Sequence, residues 1–136
     1  MSFGGRVLAL SNPAPERRHH IARLGGRMIE EAVELALACG STPADIAIHV
    51  LDALHNEARK AGCYPSQIGN DSVTDGERIV ELADMDVMLD TIRELSGFSS
   101  QKIQRAAERK VRKLERAHAY GELKIVDGIF YLNPRS

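Results

Sequence analysis

Apolar residues recur at helical spacing along most of the chain, in segments bounded by capping residues and glycines. The first segment covers residues 16–39 and ends at Gly40, a residue type that commonly follows a helix C-terminus. The second begins after Thr42, a favourable N-cap residue, and ends at Gly62. Two consecutive glycines at 25 and 26 predict a weak point or kink within the first helix.

A polar stretch at residues 62–75 separates these two helices from the second half of the chain. It is rich in Gly, Asn, Asp and Ser, so it predicts a loop. Thr74 and Glu77 then have the spacing of a capping box, in which each side chain accepts a hydrogen bond from the other residue's amide. The third helix is therefore expected to run from this box to about residue 96.

The fourth helix and the tail follow a serine cap at residue 99 or 100. The helical pattern continues to about residue 120 and stops at Gly121. Residues 122–132 alternate around an Asp-Gly pair at 127–128, which is typical of a β-hairpin. A lone hairpin is only marginally stable in water, so we expect it to pack on the helices or on another subunit.

Composition agrees with a helical domain. The chain has 136 residues and is 43% hydrophobic, which is enough for one domain with its own core. Only 4% of the residues are aromatic and none is Trp, so the core is aliphatic, which suits packed helices better than strands. The sequence predicts a single all-α domain over residues 1–136, a bundle of about four helices at 16–121 with a small β-hairpin at 122–132.

Charge and targeting signals narrow the choice of partners. A formal net charge of -1 gives no global reason to bind nucleic acid or an anionic membrane. The N-terminus lacks the features of a signal peptide, and no apolar run approaches the ~18 residues of a membrane span. Cys39 and Cys63 are isolated, and the histidines have no convincing zinc spacing. We expect a cytoplasmic protein with neither a membrane nor a nucleic-acid partner.

The first candidate site is a run of carboxylates at Glu30, Glu31 and Glu34. Their spacing places them one turn apart on the same face of a helix, where like charges repel. Arg23 and Arg27 share this face. A solvated polar face would have the same pattern, so the motif by itself favours neither a site nor a surface.

The second motif, Glu81 and Asp84, is harder to explain as a surface. Its helix already has a polar face, and these two carboxylates lie on the other side, among Met85, Met88, Ile92 and Leu95. Removing an ionised carboxylate from water costs several kcal/mol unless a cation compensates it. That cation is either a basic side chain from another helix or a metal ion. Together, the two motifs predict an all-oxygen site of the kind that binds Mg²⁺ or Mn²⁺.

The fourth helix is strongly basic. Between residues 102 and 116 it carries seven basic residues against two acidic ones, a net charge of +5. The basic residues are Lys102, Arg105, Arg109, Lys110, Arg112, Lys113 and Arg116. A solvated amphipathic helix explains any single one of them, whereas the group suits phosphates beside an acidic metal site. It also suits a nucleic-acid backbone, although no aromatic residues are interleaved for base stacking.

The order of these features resembles a known superfamily. The sequence EEAVE at 30–34, followed by ELAD at 81–84, resembles the paired motifs of the all-α NTP pyrophosphohydrolases. This superfamily includes MazG-like enzymes, dimeric dUTPases and phosphoribosyl-ATP pyrophosphohydrolases. The basic segment at 110–116, with Gly121 shortly after it, resembles the segment that often follows the second motif in MazG-like members. The likeness covers roughly residues 16–121.

The resemblance implies a Mg²⁺-dependent enzyme, with Mn²⁺ as a substitute metal, that hydrolyses a (d)NTP to a (d)NMP and pyrophosphate. The metal ligands that it implies are Glu31, Glu34, Glu81 and Asp84, with Glu30 as a further catalytic carboxylate. One of these carboxylates would act as the base toward the attacking water. The residues implied to bind the outgoing phosphates are Lys110, Lys113 and Arg116. A homodimer or homotetramer is implied as well.

The sequence leaves open alternatives to the MazG-like subfamily and to the pyrophosphohydrolase function. Residues 35–80, forty-six in all, separate Glu34 from Glu81, a longer gap than in compact MazG-like domains but one that dimeric dUTPase-like members tolerate. A house-cleaning NTPase, a dNTP-selective enzyme and a phosphoribosyl-ATP hydrolase therefore all remain. Two other functions also fit the residues. One is a nucleic-acid-binding module that uses residues 102–116, and the other is a non-catalytic oligomeric bundle whose carboxylates form buried ion pairs.

Overall fold

The all-α class is confirmed by five helices. The computed structural model describes residues 2–10, 17–69, 73–126 and 129–132. The helices are α1 (Phe3–Ala9), α2 (Arg17–Ala38), α3 (Pro43–Ala61), α4 (Asp75–Ser96) and α5 (Ser100–Ala119). A single 3-10 turn at Pro65–Gln67 follows α3, and two short strands, β1 (Leu123–Val126) and β2 (Ile129–Leu132), follow α5.

The helix starts that the sequence predicted are fixed by side-chain caps. At α4 the cap is reciprocal, because the Thr74 amide donates to Glu77 Oε2 and the Glu77 amide donates to Thr74 Oγ1, each at 3.2 Å. At α3 and α5 the hydroxyls of Thr42 and Ser99 accept a hydrogen bond from the amide three residues later. Each cap satisfies a helix-terminal N–H that would otherwise lack a partner.

Helix α3 ends as its glycine predicts. Gly62 has φ +68°, a left-handed conformation that costs a residue with a Cβ roughly 1–2 kcal/mol. In this conformation the Cys63 amide donates to the carbonyl of Ala58 at 3.0 Å. By contrast, α2 is continuous through Gly25 and Gly26, so these two glycines do not end that helix.

Helix α1 was not predicted from the sequence. It begins at Ser2, whose hydroxyl accepts a hydrogen bond from the Gly5 amide at 3.0 Å. Two of its seven residues, Gly4 and Gly5, have low helix propensity. The sequence of this segment therefore does not predict a helix. The helix is held by packing against α5, a contact that local spacing does not reveal.

The chain divides into two compact units. Unit 1 comprises residues 1–29 and 91–136, and unit 2 comprises residues 30–90. In unit 1, α1 packs against α5, and α5 contacts β1. Strands β1 and β2 pair in antiparallel register, with Leu123 opposite Leu132. The Asp-Gly pair at 127–128 lies outside the described residues, as do residues 11–16 and residues 70–72 of the central loop.

Unit 2 leaves most of its large apolar side chains exposed. Ala58 is its only described residue that is buried, and the main contact between its described elements joins α3 to the 3-10 turn. The exposed apolar residues of α3 and α4 include Ile48, Val50, Leu51, Leu54, Ile79, Val80, Leu82, Val87, Met88 and Leu89. None of the described helices has the length and apolar character needed to cross a bilayer. Exposed apolar area on this scale typically marks a protein interface.

Candidate functional site

All five candidate carboxylates belong to unit 2. Glu30, Glu31 and Glu34 lie on α2, and Glu81 and Asp84 lie on α4. Within each helix the carboxylates stand one turn apart, because three or four residues complete a turn. Each helix therefore presents a compact pair or triplet of oxygen donors.

Three of these carboxylates are exposed and unpaired within the described part of the chain. Glu34, Glu81 and Asp84 are solvent-exposed, and none makes a hydrogen bond or ion pair with another described residue. Glu31 is half-buried. The alternative of buried ion pairs therefore gains no support at Glu81 and Asp84 within the single chain.

The surroundings of Glu81 and Asp84 distinguish them from an ordinary surface pair. At about 100° per residue, Met88 lies between them on the same side of α4, with Leu95 two turns beyond. Both apolar side chains are exposed, Leu95 by 86% of its area. Large apolar side chains exposed together on one side of a helix typically mark a surface that a partner covers. If a partner covers this face, the two carboxylates lose water and need a cation to compensate them.

The described residues contain no group of three or more His, Cys, Asp or Glu side chains positioned to hold a metal ion. The chain places its candidate ligands in two sets, one on α2 and one on α4. Mg²⁺ requires few protein ligands, because it retains several waters and is commonly bound through one or two carboxylates together with substrate phosphates. The all-oxygen donor set of Glu34, Glu81 and Asp84 suits that ion.

The acidic residues of α5 are neutralised by α1. The Arg6 guanidinium donates to Glu108 Oε2 at 2.6 Å and to Glu115 Oε1 at 2.5 Å. Glu108 also accepts a hydrogen bond from Arg112 Nε at 2.9 Å. Such charge-assisted hydrogen bonds are the stronger kind in proteins. Arg6 therefore fixes α1 to the acidic side of α5.

The Arg6 cluster shifts two pKa values. Hydrogen bonds from Arg6 and then Arg112 hold the pKa of Glu108 below its ordinary value. Hydrogen bonds to Glu115 and Glu108 raise the pKa of Arg6 above its already high value. Both shifts favour the charged forms, so Arg6 and Glu108 remain ionised at neutral pH.

The other basic residues of α5 are exposed. The three residues that the family resemblance assigns to phosphate binding, Lys110, Lys113 and Arg116, lie on α5 in unit 1. Like Lys102, Arg105 and Arg109, they make no ion pair or hydrogen bond with another described residue. Because the two acidic residues of α5 are bound to Arg6, six basic side chains remain available for an external anion.

Sequence reasoning missed Arg6. Its two carboxylate partners are 102 and 109 residues away in the chain, so no local spacing could reveal the cluster. The only signal is that Glu108 and Glu115 interrupt an otherwise basic segment, which indicates that a cation from elsewhere binds them.

Comparison of the chain with family models, with curated proteins and with solved structures found no match.

Proposed function

We propose that the chain is a Mg²⁺-dependent nucleoside triphosphate pyrophosphohydrolase that acts as a homodimer or homotetramer. The observation that carries this proposal is the pair Glu81 and Asp84. These carboxylates lie on an exposed apolar side of α4 and have no partner among the described residues. An acidic face that stays in water is not expected to have apolar side chains around it. A metal site that another subunit covers is expected to have them. The resemblance of the EEAVE and ELAD motifs to the all-α pyrophosphohydrolases supports the same reaction.

The residues proposed to hold the metal are Glu31, Glu34, Glu81 and Asp84. When bound, Mg²⁺ would supply positive charge to the α-phosphate and lower the pKa of a coordinated water. One of the five carboxylates, Glu30 included, accepts the proton of the attacking water. The water oxygen bonds to the α-phosphorus while the bond to the α–β bridging oxygen breaks, which yields a nucleoside monophosphate and pyrophosphate. Lys110, Lys113 and Arg116 bind the departing pyrophosphate by charge-assisted hydrogen bonds.

The exposed apolar surface of unit 2 supports assembly with a second copy. Leu82 and Met88 of α4 are each more than half exposed, and apolar side chains of α3 are exposed as well. Each buried CH₂ group contributes about 0.8 kcal/mol, so covering these residues provides the driving force for association. In this arrangement, helices of two copies together form the core that unit 2 does not form alone.

The test is pyrophosphate release from a panel of NTPs and dNTPs, measured with Mg²⁺ and with EDTA. Glu34→Gln and Glu81→Gln are compared with Asp86→Asn, a matched control that removes a carboxylate from the opposite, polar side of α4. We expect Mg²⁺-dependent release that falls at least about a hundredfold in the first two variants, as for the loss of a metal-positioned transition-state contact, and persists in the control. Absence of turnover by the folded protein, with phosphoribosyl-ATP included in the panel, would refute the proposal.

A further inference from the structure

Five basic residues of α5 form one continuous face. Lys102, Arg105, Arg109, Lys113 and Arg116, called here the cationic face, fall within an arc of about 80° when successive residues turn by about 100°. All five are exposed. From the first to the last, the face extends for roughly 21 Å at 1.5 Å per residue. This is a linear array of charge and not a pocket for a single phosphate.

The acidic residues of the same helix do not weaken this face. Glu108 and Glu115 lie on another side of α5, where both are bound to Arg6. Arg112, beside the cationic face, forms an ion pair with Glu108. The contact with α1 therefore separates the charges of α5, with carboxylates toward α1 and, toward solvent, cations that have no partner among the described residues.

The packing of α5 disfavours a lipid surface as the partner. A helix that lies on a membrane inserts its apolar side among the lipids. In α5 much of that side is already covered, since Val111 and Ala117 are buried and the helix packs against α1 and β1. Ile103 is the large apolar side chain of α5 that stays exposed among the described residues. The cationic face, by contrast, is exposed along its whole length, and it can bind an extended polyanion without insertion.

We propose that the cationic face binds the phosphate backbone of double-stranded nucleic acid, an activity beyond the proposed hydrolysis. A duplex carries one phosphate charge per about 1.7 Å of its axis, so a face of roughly 21 Å spans about twelve phosphates. No aromatic residue interrupts the face, and stacking on aromatic side chains is the usual means of holding single strands. Recognition by backbone contacts alone is independent of sequence.

The expected salt dependence follows from the number of phosphates neutralised. With five contacts, log K falls against log[salt] with a slope of about -4.5. Between about 50 and 200 mM salt, the affinity falls about 500-fold. A variant that keeps only Lys113 and Arg116 has a slope of about -1.8.

The experiment measures fluorescence anisotropy of labelled 20-base-pair DNA and RNA duplexes against the full chain in EDTA, so that binding is read without hydrolysis. The test variant is K102Q/R105Q/R109Q. The matched control, R59Q/K60Q/R78Q, makes the same change in net charge within unit 2. We expect both duplexes to bind wild type and the control with the steep slope, and the test variant with the shallow one.

Several results would overturn the proposal. The first is no duplex binding at low salt, and the second is equal salt slopes for the test and control variants. The third is binding of single strands and heparin as tight as that of duplexes, because such binding indicates non-specific adsorption of polyanions. If the test variant instead loses self-association in light scattering and wild type binds no duplex, the cationic face is a subunit interface. Loss of hydrolysis in the assay above, with duplex binding intact, refutes only the proposed enzyme.

Discussion

The two units of the chain carry opposite charge. Unit 1 contains fifteen basic and six acidic residues, a net charge of +9, whereas unit 2 contains three basic and thirteen acidic residues, a net charge of -10. The near-neutral total of -1 is the sum of these two and describes neither. The expectation of no nucleic-acid partner rests on that total, and it stays a prediction.

The units differ also in how many of their charged and apolar side chains are paired or buried within the unit. In unit 1, Arg6 binds two carboxylates, and α5 buries Val111 and Ala117. In unit 2, the described apolar side chains are mostly exposed and Glu81 has no described partner. Unit 1 thus has its own ion-pair cluster and two buried side chains, whereas the described part of unit 2 leaves exposed the apolar and acidic groups that the proposed subunit interface and metal would cover.

The largest effect is expected from a charge placed on the apolar surface of unit 2, which tests whether that surface is a subunit interface. Leu82→Glu would put a carboxylate into the proposed subunit interface, and desolvation of such a group costs several kcal/mol. We expect the dissociation constant of the oligomer to rise at least about a hundredfold, as measured by light scattering over a dilution series. Gln104→Glu, which adds the same charge to α5, is expected to leave the mass unchanged. An unchanged mass for Leu82→Glu would contradict the proposed interface.

Removing the metal should affect unit 2 next most strongly. At about 100 times its Kd, Mg²⁺ raises the free energy of unfolding by about 2.7 kcal/mol, which urea unfolding with and without EDTA measures. Glu81→Gln should lose this gain. Without metal, it should be as stable as wild type or more so, because it relieves repulsion from Asp84. Unfolding of Glu81→Gln in EDTA would indicate instead a structural ion pair.

A smaller effect on the free energy of unfolding is expected when one glycine in each unit is replaced by alanine. Gly62→Ala in unit 2 should lower the free energy of unfolding by about 1–2 kcal/mol, because of its left-handed conformation. Gly25→Ala in unit 1 should raise it by up to about 1 kcal/mol through helix propensity. Neither new methyl group meets another atom within 4 Å, so backbone preference decides both signs. Urea unfolding measures them, and equal signs would contradict the assigned conformations.

The smallest effect is expected in the titration of the Arg6 cluster. Because the folded pKa of Glu108 lies below its ordinary value of 4.5, its contribution to stability is complete above that pH. The contribution is lost as the pH falls through the lower folded value. The raised pKa of Arg6 gives a contribution that is present at all lower pH, so it adds no acid transition.

NMR titration of the Glu108 carboxyl carbon measures this shift. In Arg6→Ala the pKa should rise toward 4.5, and in Arg112→Gln it should rise less, because Arg6 is the larger cause. The amides of α1 should also exchange faster in Arg6→Ala. A pKa of Glu108 that is the same in wild type and Arg6→Ala would refute the hydrogen bond.

Local signals predicted most of the helical fold, whereas distant contacts escaped prediction. The capping residues Thr42, Thr74 and Ser99 fixed the helix starts from a few neighbouring residues. Helix α1 was missed because Arg6 holds it to carboxylates of α5 that follow about a hundred residues later in the chain. Spacing also placed the five carboxylates on α2 and α4. Their meeting in one metal site stays a prediction, because it depends on packing between helices and not on periodicity within one helix.

The position of Arg6 has a consequence for synthesis of the chain. Its partners follow it by 102 and 109 residues, and translation adds about 5–20 residues per second. Arg6 is therefore incorporated roughly 5–20 s before both carboxylates have been made. During that interval α1 has no α5 on which to dock, so α1 becomes ordered in its native packing only after α5 has been made. Nascent chains that stop short of α5 would expose it to chaperones and proteases.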